Sequence, residues 1–186
     1  MGRAHLLTGR PGVGKTTCLR TLLDLLHVPA SGFFTEEIRE RGRRVGFSLM
    51  TLGGQRATLA HVNRRGTPRV GKYGINLDAI ERVGVPAVED AIRKGHLAVI
   101  DEIGKMELAS SAFRRAVEEA LDSPVTILGT ILTASHPWAD RIKRRPGVRL
   151  IEVTIATRES LPRELAATLA STRAAGGSSR SSAEDG

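Results

Sequence analysis

Residues Gly9-Arg10-Pro11-Gly12-Val13-Gly14-Lys15-Thr16 spell G-x-x-x-x-G-K-T, directly behind the apolar run His5-Leu6-Leu7. A strand, a glycine turn and then a helix aim the backbone N–H groups of the turn, and the positive end of the helix, at one point. A polyphosphate fits there. The spacing predicts a strand over 4–8 and a helix from about Lys15, with Leu19, Leu22, Leu23 and Leu26 on one face. Gly9, Gly12 and Gly14 allow positive φ and close approach to phosphate oxygens, while Arg10, Pro11 and Val13 complete the loop backbone. Lys15 is expected to reach the β/γ oxygens and the Thr16 hydroxyl to ligate Mg²⁺, with Thr17 extending the nucleotide-binding stretch. The competing reading is a glycine-rich turn that binds nothing. The strand before it and the helix after it weigh against that.

Outward from the loop, the chain alternates. Pro29 and Ser31-Gly32 mark a break, after which β-like runs at 33–38 and 45–52 are joined across Arg41-Gly42-Arg43. A third short strand is expected over 57–62 and an extended piece over 73–77. This reads as an antiparallel insertion after the first helix. Helices are expected over 86–94, 110–121, 138–145 and 159–169, and strands over 97–100, 125–131 and 149–153. The resulting class is α/β, a P-loop fold whose mostly parallel sheet is flanked by helices on both faces. One domain is expected over 1–171. Residues 172–186 turn to Gly, Ser, Ala and charge, the composition of a disordered tail.

A phosphate loop alone says that a nucleotide binds. The apolar strand 97–100 leads into Asp101-Glu102, at the strand end where open α/β sheets hold their ligands. Asp101 is expected to hold Mg²⁺ through a water, completing the site begun by Thr16, and Glu102 to orient the attacking water or accept its proton. The run Asp101-Glu102-Ile103-Gly104 also fits the D-x-x-G pattern of regulatory GTPases. No N-K-x-D follows to read guanine. Lys105 is either a finger that neutralises charge on the γ-phosphoryl group or a solvated loop lysine. Thr130 and Thr133 either sense the γ-phosphate or are there for β propensity. Arg141, Arg144 and Arg145 are candidates for phosphate contacts, with a wet helix face as the alternative. Tyr73 and Phe34 are candidates for base stacking, with a place in the core as the alternative.

At 186 residues the chain is long enough for a sizeable core, which its 3% aromatic content leaves to Leu, Val, Ile and Ala. No apolar run approaches a membrane span, and Arg10 and the glycine turn interrupt any signal-peptide segment. The one cysteine, Cys18, fits a reducing cytoplasm and a small core position. The five histidines show no metal-ligand spacing. A net charge of +8 raises the question of nucleic acid. The basic residues read as scattered apart from 39–44 and 141–145, with no aromatic interleaving. No dedicated nucleic-acid site and no membrane partner are therefore expected.

Four segments together carry a resemblance: Gly9–Thr17, Gly32–Arg39, Arg44–Phe47 and above all the run Val99-Ile-Asp-Glu-Ile-Gly-Lys-Met-Glu107. Val70–Tyr73, Ile127–Thr130 and Val153-Thr154…Arg158 add to it. Over about residues 1–170 the chain resembles the small P-loop nucleoside-triphosphatases of the thermophile and human cancer-related type. The resemblance implies Mg²⁺-dependent hydrolysis of ATP, GTP, CTP and UTP to the diphosphate and phosphate, and Arg158 near the base. The residues by themselves reach a Mg²⁺-dependent phosphohydrolase or phosphotransferase. A nucleotide or small-molecule kinase and a nucleotide-gated binding module remain the alternatives.

Overall fold

The computed structural model describes residues 3–66 and 68–177. Strand β1 (Arg3–Thr8) feeds the glycine loop, and helix α1 (Lys15–Leu26) follows it. Then come β2 (Ala30–Glu40), β3 (Arg43–Thr51), β4 (Arg56–His61), β5 (Arg69–Val70) and β6 (Tyr73–Ile75). A helical passage comprises α2 (Leu77–Ala79), a wide turn over Ile80–Gly84 and α3 (Val85–Lys94). The remainder is β7 (Leu97–Ile103), a tight turn at Glu107–Ala109, α4 (Ser111–Asp122), β8 (Thr126–Ile131), α5 (Pro137–Lys143), β9 (Val148–Glu152) and α6 (Leu161–Gly177).

The nine strands of the described residues form one sheet, ordered β5-β6-β4-β3-β2-β7-β8-β1-β9. The ladders β2–β7, β7–β8, β8–β1 and β1–β9 are parallel, and the rest are antiparallel. Strand β2 belongs to both halves. Its first residues, Ala30 to Phe33, pair in parallel with Leu97 to Ile100, and from Phe33 to Glu40 it pairs antiparallel with β3. The antiparallel insertion therefore starts inside a parallel strand that already begins at Ala30. The expected break at Ser31-Gly32 is strand.

Side-chain alternation explains why the central strands read as unbroken apolar runs. Ala4, Leu6, Ala98, Ile100 and Ile127 face α3, α4 and α5, while Leu7, Val99 and Leu128 face α1 and α6. Both faces are covered, so both sets must be apolar. On α4, Phe113, Ala116, Val117, Ala120 and Leu121 are buried at helical spacing, and full burial of each large one contributes about 1.5–3 kcal/mol. Ser110 caps that helix by accepting the Phe113 N–H at 3.1 Å. Phe34 and Tyr73 are core residues, 5% and 7% exposed. Cys18 is buried too, and burial pushes its thiol up to about 11. Helix α6 runs six residues past the boundary expected at Ser171, so the backbone of 172–177 is helical. The rest of the expected tail, 178–186, lies outside the described residues.

Candidate active site

The glycine loop is built as its sequence requires. Gly14 caps α1 in a left-handed conformation (φ 107°), which puts the first free N–H groups of the helix at the loop's centre. Gly9 has φ 144°, and a Cβ there would collide with the Val153 carbonyl. Only glycine lets the loop pass so close to the residue that follows β9. Lys15 reaches back across the loop, its Nζ donating to the Gly9 carbonyl at 3.0 Å and the Arg10 carbonyl at 3.3 Å. Arg10, Pro11 and Thr17 are exposed, while Val13 and Thr16 are half-buried.

Asp101 and Glu102 lie two strands away, with β8 between. The peptide joining them is cis, and the β7–β8 register shifts between Ile100 and Ile103. Asp101 is buried, and its Oδ1 accepts from the Thr130 hydroxyl at 2.6 Å. Its Oδ2 is buried and has no hydrogen-bond partner among the described residues. Burial pushes this carboxyl up, against the pull of Thr130, Thr16, the Thr35 N–H and the Arg20 charge. A buried carboxylate oxygen without a partner, beside the Thr16 hydroxyl, is the donor set that a hard cation takes. Thr16 and Asp101 therefore fit Mg²⁺.

Burial also raises Glu102, and the Asp101 charge adds to this while the Lys15 charge opposes it. The Lys15 ammonium and the two carboxyls thus share one electrostatic pocket, though they are 86 and 87 residues apart in sequence. Thr130 and Thr133 are both engaged. Thr130 holds Asp101, and the Thr133 hydroxyl donates to the Gly9 carbonyl at 2.9 Å and accepts the Gly9 N–H at 3.2 Å. Their work is to position Asp101 and the loop. Lys105 is exposed and makes no hydrogen bond or ion pair among the described residues. Arg141 pairs with Glu118 and Arg145 with Asp122, both on α4, which ties these two arginines away from the loop. Lys143 instead pins the loop after β8, donating to the Thr133 and Ala134 carbonyls at 3.5 and 3.4 Å.

One carboxyl of the site escapes a sequence reading. Glu107 is 4% exposed, and a Cβ on Gly104 would lie 2.9 Å from its Oε2 and 3.2 Å from the Glu102 Cδ. The two glutamates therefore flank the same bare Cα. Burial, followed by repulsion from Glu102, pushes Glu107 up to about 8, so it is mostly protonated at neutral pH. Spacing gives no signal for this; the only cue is an acidic residue within an otherwise apolar turn. Since the folded value lies above the ordinary 4.5, Glu107 favours the folded state at low pH and costs stability as pH rises toward 8. Glu107→Gln is expected to be more stable than the parent at pH 9, with the difference vanishing only below the ordinary value of 4.5. Each tenfold difference in proton affinity between the folded and unfolded chain is worth about 1.4 kcal/mol. Urea midpoints without nucleotide or Mg²⁺ test it, and a difference independent of pH would refute it.

Next to Gly14, the segment after β9 closes a cavity of about 300 Å³, lined by Thr17, Cys18, Thr21, Arg158, Glu159 and Pro162. Cavities of about 450 and 380 Å³ open around Lys94 and His96 at the opposite ends of the parallel strands, where β1, β2, β7 and β8 begin, and no loop or carboxylate residue of the site lines them.

A glycine loop capping a helix, with an acidic pair at the end of a parallel strand two places away, defines a P-loop nucleotide-binding protein. Comparison with known proteins narrows the class. The sequence matches the family described as NTPase over residues 4–166. It is 48% identical to nucleoside-triphosphatase THEP1 of Thermotoga petrophila over 160 residues, covering 86% of this chain and 89% of that one. Against the cancer-related nucleoside-triphosphatase of Homo sapiens the identity is 39%, covering 93% and 100%. The crystal structure of THEP1 from Aquifex aeolicus superposes with a TM-score of 0.82 at 35% identity, covering 91% and 99%. The chain belongs to this NTPase family.

Proposed function

We propose that the chain is a nucleoside-triphosphatase, hydrolysing NTP to NDP and phosphate with Mg²⁺ and with broad base tolerance. The observation that carries the reading is Glu102, a carboxyl raised by burial and set within the field of Lys15 and Asp101. Bound Mg²⁺ at Thr16 and Asp101 supplies charge neutralisation on the phosphate oxygens. The loop N–H groups and Lys15 hold the triphosphate, and Lys15 exchanges the Gly9 and Arg10 carbonyls for phosphate oxygens. Glu102 takes a proton from water, the water oxygen bonds to the γ-phosphorus, and the bond to the β–γ bridging oxygen breaks. NDP leaves with that electron pair, and the proton on Glu102 returns to solvent. The names of the relatives agree with this activity.

Broad base tolerance is supported by the cavity beside Gly14. Its charged side chains are Arg158 and Glu159, which pair with each other at 3.2 Å, and discrimination needs buried polar groups matched to one base edge. ATP, GTP, CTP and UTP are expected to be hydrolysed within about one order of magnitude of each other. The test is phosphate release from each, with and without Mg²⁺, and with and without a mixture of nucleosides and nucleoside monophosphates. NDP formed only when an acceptor is present, with the phosphoryl group on the acceptor and no phosphate released, would indicate a kinase. A preference beyond about a thousandfold for one base, which matched polar sites reach, would overturn the tolerance.

A further inference from the structure

Two of the segments that make the chain recognisable, Arg44–Phe47 and Val70–Tyr73, have no part in the phosphate site, and the far end of a third, Gly32–Arg39, lies with them through Glu37. The fold brings their ends together. Strand β3 pairs with β4 through Gly46 and His61, and the Val62 N–H donates to the Val45 carbonyl at 2.9 Å, which sets the loop after β4 beside the β2–β3 turn. The Arg44 Nε donates to the Tyr73 hydroxyl at 3.0 Å, joining the β5–β6 turn to the same end. Arg44 is the clamp. Its guanidinium also binds Glu37 at 2.7 Å and lies 5.2 Å from the centre of the Phe47 ring. Arg69 closes the set by donating to the Arg64 carbonyl at 2.9 Å.

The charge at this end is one-sided. From residue 41 to residue 73 the chain has no Asp or Glu. The β2–β3 turn carries Arg39, Arg41, Arg43 and Arg44, the loop after β4 carries Arg64 and Arg65, and the β5–β6 turn carries Arg69 and Lys72. These eight face only Glu37 and Glu40, a local excess of six in a chain of net charge +8. All but Arg64 are exposed, and Arg41, Arg43 and Arg65 make no ion pair or hydrogen bond among the described residues. The cluster at 39–44 and the separate basic residues of the two other turns form one patch in space.

The nucleotide does not account for this patch. Strand β2 pairs with β7 up to Ile100 and continues seven residues further, from Phe33 to Glu40. At 3.3 Å per residue that is about 23 Å beyond Ile100 and about 13 Å beyond the end of β7 at Ile103, at the same end of the sheet. We propose that this arginine-rich end of the antiparallel wing is a docking surface for the phosphate backbone of a nucleic acid, next to the nucleotide site. Guanidinium forks suit phosphate oxygens. The aromatic rings present, Phe47 half-buried and Tyr73 buried, offer no exposed platform for bases, so contact is with the backbone and independent of sequence. Among the described residues the exposed large apolar side chains, Leu25, Leu52, Leu150 and Ile155, lie elsewhere, so the patch has nothing to insert into a bilayer.

The test is fluorescence anisotropy of the full chain with labelled 20-mers of DNA and RNA, single- and double-stranded, from 50 to 200 mM salt. Arg41→Glu/Arg43→Glu/Arg65→Glu is compared with a charge-matched control at exposed positions, Arg115→Glu/Arg149→Glu/Arg163→Glu. Binding in the range of about 10⁻⁴–10⁻⁶ M is expected for the parent, nearly equal for unrelated sequences. The wing variant should lose at least about tenfold, and its slope of log K against log salt should flatten by about 2–3, the value for three lost phosphate contacts. The control should stay within about threefold, and basal NTP hydrolysis should be unchanged in both. Equal losses in the two variants, no binding by the parent, or binding to phosphatidylserine vesicles in preference to oligonucleotides would each overturn the proposal.

Discussion

Glu102→Gln is expected to bind Mg²⁺–NTP about as well as the parent and to hydrolyse it about 10²–10⁴-fold more slowly, the usual cost of losing a general base. The amide keeps the size of the side chain and its place beside Gly104, but it cannot accept a proton. Binding is spared because the triphosphate is held by the loop and Lys15, not by this carboxyl. Asp101→Asn should behave differently. It leaves the Thr130 hydroxyl with an acceptor but removes the charge from the buried, unpartnered Oδ2, so the Mg²⁺ requirement should rise along with the loss of rate. Nucleotide affinity and single-turnover hydrolysis, measured on both variants across a Mg²⁺ titration, separate the roles. Parental turnover by Glu102→Gln would place the base elsewhere.

Lys15→Ala is expected to lose most triphosphate binding and at least about a hundredfold in kcat/KM, the scale for deleting one charged donor aimed at the transition state. Its effect on stability should be small, since the ammonium contacts only two loop carbonyls, Gly9 and Arg10, at a half-buried position. A second consequence concerns pH. The Lys15 charge holds Glu102 down, so without it the Glu102 carboxyl rises further. The acidic limb of residual hydrolysis should therefore move to higher pH in Lys15→Ala, because the base stays protonated over a wider range. Hydrolysis equal to the parent at matched Mg²⁺ would remove Lys15 from the mechanism. A lower rate with an unmoved acidic limb would separate Lys15 from Glu102.

The parts of this protein that its sequence alone determined are those whose physics is local. The glycine loop and helix α1 follow from backbone constraints within a dozen residues, and the helix occupies Lys15–Leu26 as its apolar spacing requires. The central strands declare themselves because both faces of each are covered, which forces the run of apolar residues. Asp101 and Glu102 were legible because a strand end is a fixed place in an α/β sheet. Tertiary structure alone decided the rest, since it rests on contacts between residues distant in sequence. That Thr130 serves Asp101, and Thr133 the Gly9 backbone, depends on the register of β8 against β7 and β1. Arg141 and Arg145 are withdrawn from the site because α5 packs beside the acidic edge of α4. Glu107 becomes a neutral acid through desolvation, which no spacing encodes. Of the wing's basic residues the sequence shows only the cluster at 39–44, and its union with Arg64, Arg65, Arg69 and Lys72 is hidden because three separate turns supply them. Only the antiparallel ladders, by folding the chain back on itself, bring like charges to one end.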